Sequence, residues 1–474
     1  VGEKIVSGGV WRVAAYGVST IVAVASTAVV SRAVGPAGFA EYTTALSLVA
    51  VALGISDLGL LALGIREFTN LDGELRERHY RALITLRVLF AVLAALVILV
   101  IAVFTDFSHD AFVGLIVASV GLCVVALYAS YCVPLQATYQ LRSLAILDTS
   151  RQVIWSSLVI LAAVVASSVG LIVAMLLPAV LVVAMAAGLL ARRSVSIRPS
   201  WDVEVMRRLL ASVGTFAVAA SVGAVYAFFA QVASDVVLSA HESGQFALAF
   251  RVFAVLLGAG GVAIIGAFPL LVASAEEDLE RMVYATRRVF ETALITGFAC
   301  AVGLFVGAEF VVGVIGGANY SEAVELLRII GFALPSSFVL AAGSYVLLAS
   351  GRHRQLVAIA VGGAVLSIAA TTALAVAYSG RGAAVGIVLG ELWISVAYLV
   401  AVRKIDSRMA PGKGWFVGVL AVTAAACLIY LLPVPSVVGA GIATLIYLAG
   451  LTAFGLLPPE LAGRIRNQLP SARS

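Results

Sequence analysis

Six side chains in an otherwise apolar chain have the type and position to do chemistry: Arg32, Asp57, Gln136, Asp235, Arg251 and Glu391. An arginine presents a planar fork of N–H donors that suits bidentate contact with phosphate or carboxylate. Arg32 closes the first apolar run, placed either to meet such an anion, to snorkel toward headgroups, or to cap its helix. Arg251 lies inside FALAFRVFAVLL, too deep for easy snorkelling. It is expected to line a cavity, with pairing to Asp235 as the alternative. Glu391, in GELWIS, falls about 12 Å from the nearer end of its run at 1.5 Å per residue. A carboxylate at that depth takes up a proton or a sodium ion, or else answers a partner such as Arg251 or a polar contact between lobes. Asp235, near the end of another run, is the second ion-coupling candidate unless it is simply wet. Gln136 forms a polar patch with Tyr139 and Gln140, set to bind ligand hydroxyls or to meet water. Asp57, in SDLGLLALGIRE, is expected to brace a helix contact through a neighbouring arginine, with direct substrate contact as the second option.

What must hold these residues is a membrane-embedded helical container. The chain has 474 residues, 62% hydrophobic and 12% charged, against about 45–50% and about 25% in soluble domains. Apolar runs of 18 or more residues recur from end to end, each long enough to cross a bilayer as a helix. About fourteen spans are expected, of about 20 residues each. Among them are 10–32, 39–64, 83–104, 152–168, 289–314 and 383–402. VGEKIVSGGVW lacks a cleavable signal pattern, so the first run is expected to stay as a span. The basic residues cluster in every second loop, including Arg76, Arg78 and Arg81, then Arg192, Arg193, Arg207 and Arg208, then Arg403, Lys404 and Arg408. Of 30 Lys and Arg, only Arg32, Arg251, Arg328 and Arg381 fall inside or on the other side. The positive-inside rule then puts both termini in the cytoplasm. Trp11, Trp155, Trp201 and Trp415 fall near the expected cytoplasmic helix ends, as an aromatic belt does. ELRERHYR and WDVEVMRR read as short amphipathic helices on the membrane surface. Pro134, Pro178, Pro269 and Pro335 predict kinks. RAVGPAGFAEY is echoed by LSAHESGQFALAF, with Gly38 and Gly244 in like places, which hints at an internal repeat.

The net charge of +5 is a topology signal, not a nucleic-acid signal, because the basic residues sit in short loops. The four cysteines lie in apolar runs without CxxC spacing, so neither a metal site nor a disulfide framework is supported. No GxxxxGK[ST] loop and no nucleophile–base set stands out, so no cofactor and no enzymatic reaction are expected.

Several motifs in order carry a family resemblance: Trp11; Arg32, Gly35 and Phe39; Asp57 and Gly59; Arg66 and Glu67; PLQAT at 134–138; VIGGANYSEAVELLR at 314–328; and SGRGAAVGI at 379–387. In these the chain resembles the Wzx-type polysaccharide flippases of the multidrug/oligosaccharidyl-lipid/polysaccharide exporter superfamily, over nearly its whole length. It departs at Ala33-Val34, where a bulkier aliphatic is usual, and at Gly38-Phe39. The resemblance implies an all-α polytopic protein with two six-helix lobes around a central cavity, at 1–208 and 209–402, and two further helices with a cytoplasmic tail at 403–474. It implies transport of a sugar chain on a polyprenyl pyrophosphate from the cytoplasmic to the outer leaflet of a bacterial or archaeal plasma membrane, by alternating access. Arg32, Arg251, Gln136 and Asp57 are then candidates to bind substrate, and Glu391 and Asp235 to couple an ion. The implied partners are the lipid-linked oligosaccharide, membrane lipids, H+ or Na+, and a polysaccharide polymerase or glycosyltransferases. A cation-coupled exporter of the multidrug type is the alternative. Such relatives often carry an acid in the first helix, and none stands between Trp11 and Arg32. A non-transporting scaffold for glycosyltransferases is a third class, and it would have an apolar interior.

Overall fold

The computed structural model describes the backbone of residues 2–105, 107–277 and 279–458, and side chains there except at 2–16, 213–225, 227, 261–270 and 272–277. Trp11 and Pro269 therefore lie outside the described side chains. Every regular element among the described residues is helical. Contacts divide the chain into two compact units, Val1–Ala247 and Leu248–Ser474.

The first unit opens with α1 (Gly2–Asp57), which bends at Gly35 (φ 68, ψ 179) just before Pro36. Glycine tolerates the positive φ, and proline starts the second limb because its missing N–H is not needed there. A second break follows at Leu58 (φ 47) and Gly59 (φ 74), before the short amphipathic α2 (Leu60–Asn70). Then come α3 (Gly73–Val103), α4 (His109–Ala137), α5 (Leu141–Val165), α6 (Val169–Ala174), α7 (Leu176–Ala191), α8 (Val203–Val237) and the start of α9 (Ala240–Glu277). Ser108, Ser168 and Asp202 cap α4, α6 and α8, accepting from the N–H of Ala111, Leu171 and Val205. Glycine sets the closest helix approaches. A Cβ on Gly114 of α4 would lie 2.3 Å from the Gly170 carbonyl oxygen of α6, and one on Gly244 of α9 would lie 1.9 Å from that of Pro36.

In the second unit, the rest of α9 is followed by α10 (Leu279–Ile315), α11 (Ala323–Gly331), α12 (Leu334–Ala349), α13 (His353–Arg403), α14 (Lys413–Cys427) and α15 (Ser436–Ala453). α13 is a hairpin. It turns at Tyr378 and Ser379 (φ 54), and its limbs zip together where Gly382 meets Leu374, Gly386 meets Thr371, Gly390 meets Ser367 and Gly363 meets Ile394. Those pairs step in opposite directions along the chain, the register of antiparallel helices.

Among the described residues, ten helices are long and apolar enough to cross a membrane, or eleven with the bent pair α11–α12. About fourteen spans were expected. Much of the difference lies in two continuous stretches, Gly17–Asn70 and His353–Arg403, of 54 and 51 residues, each of which joins two limbs across a non-helical bend, at Gly35 and at Tyr378–Ser379. Other expectations need correcting. ELRERHYR and WDVEVMRR are not separate surface helices but the first turns of α3 and α8, because no breaker interrupts the i→i−4 ladder before the apolar run. α5 starts at Leu141 rather than near 152, which puts Trp155 inside the helix rather than at its end. Pro178 and Pro335 each follow a break by two or three residues, at Met175 and at Phe332–Ala333, whereas Pro134 sits within a continuous α4.

Each unit ties a linker back to its own helices. In the first, Arg78 of α3 pairs with Asp202 (2.7 Å), Arg81 Nε donates to the Arg198 carbonyl (2.9 Å) and Thr85 Oγ1 to that of Ser200 (2.9 Å). In the second, Arg408, after α13, pairs with Glu280 of α10 (2.8 Å) and with Asp406 (2.8 Å). The hydrogen bond from Arg78 holds the Asp202 carboxyl below the usual carboxylate range, and that from Arg408 does the same for Asp406. A depressed carboxyl adds stability above its ordinary pKa, and that stability is lost as pH falls through the folded value. Asp202→Asn is accordingly expected to lower the thermal midpoint in detergent at pH 7. The gap to the parent should close on acidification below the ordinary carboxylate range, as read by scanning fluorimetry across pH. Gly114→Val should cost about 1–3 kcal/mol by overpacking α4 against α6, measurable as a lower midpoint at constant pH.

Candidate functional site

Where hydrocarbon is the solvent, a charged side chain must find a partner, a wet surface or a ligand. The four arginines singled out by topology divide on that criterion. Arg328, in the last turn of α11, is held by Glu309 of α10 (2.7 Å), by the Phe305 carbonyl (3.2 Å) and by the Tyr430 ring, 4.6 Å beneath its guanidinium. Arg381 pairs with Glu325 (2.6 Å). Arg32 is exposed, one turn before the Gly35 bend, and is also engaged.

Arg251 differs. It is half-buried in α9, and among the described residues it has neither an ion pair nor a hydrogen bond. On a helix, positions three, four and seven along share a face. For Arg251 these are Ala254, Val255 and Gly258, which are exposed or half-exposed. Phe246, Ala249 and Phe253 cover the buried side. Arg251 thus sits where this face of α9 passes from a buried turn, at Ala247 and Leu248, to a more open one of small side chains, and among the described residues no carboxylate pairs with it.

The carboxylates behave in three ways. Asp235, half-buried near the end of α8, accepts from Ser243 Oγ (3.1 Å), with buried Gln231 one turn earlier. Glu391 is 5% exposed in the second limb of α13. That limb starts just after Ser379, so Glu391 lies about 17 Å from the turn at 1.5 Å per residue, deeper than the expected 12 Å. Asp57 ends α1 and lies 2.7 Å from Arg87 of α3, an arginine whose side chain is only 5% exposed. Gln136 is half-buried in the last turn of α4, beside exposed Tyr139 and Gln140. Arg251 and Glu391 belong to the second unit, and Arg32, Asp57, Gln136 and Asp235 to the first.

Two buried charges escaped the sequence reading. Arg87 adds a fifth arginine to the four singled out by topology, because TLRVLF lies in the expected span at 83–104. Glu291, 1% exposed in α10, is clamped by Arg287 Nε (2.8 Å) and Arg288 Nη1 (2.6 Å) of its own helix. The signal for both was available: a charge inside an apolar run for Arg87, and an acid three and four residues after two arginines for Glu291.

A family model described as "Polysaccharide biosynthesis protein" matches residues 29–325. A stretch of 64 residues is 41% identical to the "Putative O-antigen transporter" of Shigella flexneri, and the match spans 14% of this chain and 15% of that protein. The fold is similar to that of lipid II flippase MurJ in its inward closed conformation, with a TM-score of 0.79 and 12% identity over 94% of this chain and 98% of that one. It is also similar to an inward-facing multidrug resistance MATE family transporter of the MOP superfamily, with a TM-score of 0.64 and 15% identity over 84% and 98%.

Glu291→Gln removes the buried member of the trio and leaves two partly exposed arginines without their shared counter-charge. The loss is on the scale of a charge-assisted hydrogen bond, about 1.5–3 kcal/mol, so a fall in thermal midpoint is expected, whereas Glu325→Gln, in an exposed pair, should change it little.

Proposed function

The chain belongs to the polysaccharide biosynthesis protein family, and from that membership we propose that it carries a polyprenyl-pyrophosphate-linked oligosaccharide from the cytoplasmic to the outer leaflet by alternating access. It is a multi-pass membrane protein of a transport family rather than an enzyme. The observation that carries the proposal is Arg251, a half-buried arginine beside a more open turn of its helix, with no partner among the described residues. A cation so placed is costly unless an anion visits it, and a pyrophosphate supplies the oxygens that a guanidinium fork accepts. An exporter of cationic drugs would gain nothing from it.

In this reading Arg32 offers a second cationic contact at the bend of α1, and Gln136 a hydrogen-bonding group for sugar. Asp57 contributes through Arg87. Glu391 and Asp235 are the carboxylates on which a proton or sodium gradient acts. The membrane is the bacterial or archaeal plasma membrane with both termini cytoplasmic, and the lobes divide at 208 and 402. A polymerase or glycosyltransferases take or supply the cargo.

Arg251→Glu, expressed at the parent level, should trap lipid-linked precursor on the cytoplasmic side. Surface polysaccharide should fall about tenfold or more, the scale of losing one charge-assisted contact worth about 1.5–3 kcal/mol. Arg251→Lys should retain part of the activity. Unchanged export by Arg251→Glu overturns the proposal.

A further inference from the structure

Between Arg192 and Arg208, where α7 passes into α8, the chain holds five arginines and two carboxylates. Both carboxylates are engaged locally. Asp202 meets Arg78 of α3 and accepts from the Val205 N–H, and Glu204 pairs with Arg208 one turn on. Arg192, Arg193, Arg198 and Arg207 remain. All four are exposed, and among the described residues their side chains have neither an ion pair nor a hydrogen bond.

This connector is fixed in place. Ile197 is buried in an apolar cluster with Tyr80 and Leu83 of α3 and with Val205 and Met206 of α8. Arg81 Nε donates to the Arg198 carbonyl, Thr85 Oγ1 donates to the Ser200 carbonyl, and the Ser200 amide donates back to the Arg81 carbonyl (3.4 Å). The Ser200 backbone and the Asp202 carboxylate are thus engaged with α3. The residues beside them, Trp201 and Val203, are left 73% and 72% exposed. Val203, Arg207 and Leu210 follow at helical spacing on one face of α8, and all three are exposed. From that face α8 runs on into the apolar TFAVAASVGAVYAFFA, which sets the patch at a membrane boundary. The connector after α13 differs. Its Arg408 is held by Glu280 and Asp406, and the half-buried Trp415 donates its indole N–H to the Leu456 carbonyl.

We infer that the α7–α8 connector is a binding surface for anionic phospholipid. The four free guanidinium groups hold headgroup phosphates of one leaflet, and Trp201 and Val203 enter at headgroup level. An indole settles at that level, and an arginine lays its stem on apolar surface while its fork reaches phosphate oxygens. A zwitterionic lipid brings a cation with its phosphate, so the net positive patch selects lipids of net negative charge. Because α3 already holds the connector, lipid binds without having to order it. An acidic protein would answer the arginines but would leave the apolar face of α8 beside its span unexplained. The inference concerns the surrounding lipid and stands apart from the transport reading.

Trp201 is its own reporter. Trp11, Trp155, Trp393 and Trp415 are replaced by Phe, and the protein is placed in phosphatidylcholine nanodiscs containing a minor fraction of brominated lipid. Brominated phosphatidylglycerol should quench Trp201 fluorescence about twofold or more above brominated phosphatidylcholine at the same fraction. The excess should shrink at high ionic strength and vanish on combining Arg192→Gln, Arg193→Gln, Arg198→Gln and Arg207→Gln. It should persist when Arg354, Arg403, Lys404 and Lys413, exposed basic residues of the second unit, are changed to Gln instead, which lowers the net charge equally. Equal quenching by the two lipids in the parent overturns the inference. So does an excess that the second set of substitutions removes as fully as the first. Should the protein with a single Trp fail to fold, native mass spectrometry of the natural-Trp protein released from mixed nanodiscs makes the same comparison. The parent should then retain phosphatidylglycerol over phosphatidylcholine, and equal retention overturns the inference.

Discussion

A charge in hydrocarbon has to be answered, and the structure can be read as a set of answers. A side chain such as Arg or Asp costs about 2.5–3.5 kcal/mol at mid-membrane on insertion scales. Glu291 is answered by two arginines of its own helix, Arg328 by a carboxylate, a carbonyl and an aromatic ring, and Arg381 by a glutamate. The Arg328–Glu309 and Arg381–Glu325 pairs tie helices together, and the Glu291 clamp is satisfied within its own helix. Against that background Arg251, with no partner among the described residues, and Arg87, with one poorly aligned partner, stand apart. The first is the kind of vacancy a visiting anion fills.

Close helix packing makes such economy possible. With little hydrophobic force between helices in lipid, small residues let backbones approach and gain dispersion energy instead. The glycine contacts of Gly114 with Gly170, Gly244 with Pro36, and Gly386 with Thr371 do this at the points where helices cross or fold back. Polar ties then fix the turns. Asp110 accepts from Ser168 Oγ and the Gly170 amide in the first unit, and Glu325 meets Arg381 in the second. Both ties join an early helix turn to a bend that carries a left-handed serine, Ser167 or Ser379.

Much of this was legible in the sequence, for definite reasons. The all-helical membrane architecture followed from apolar run length, and the family from motifs around Arg32, Asp57 and Gly316-Gly317. The breaks near Pro178 and Pro335 followed from proline chemistry. What was not legible depended on three-dimensional neighbours. Hydropathy sees where apolar character starts, not where a helix does, so α3, α5 and α8 begin one or more turns earlier than expected. Arg87 was missed because one charge scarcely lowers the mean of a strongly apolar window, and its significance appears only once Asp57 is found beside it. That Arg251 would stand without a partner, when Asp235 was the obvious one, required coordinates.

The linker ties carry a consequence of their own. In the first unit the helix contributes the cation, Arg78, and the linker the anion, Asp202; in the second the helix contributes the anion, Glu280, and the linker the cation, Arg408. The two ties are therefore not interchangeable: Asp202 set against Glu280, or Arg408 against Arg78, would place like charges together, so each connector's charge matches the helix of its own unit.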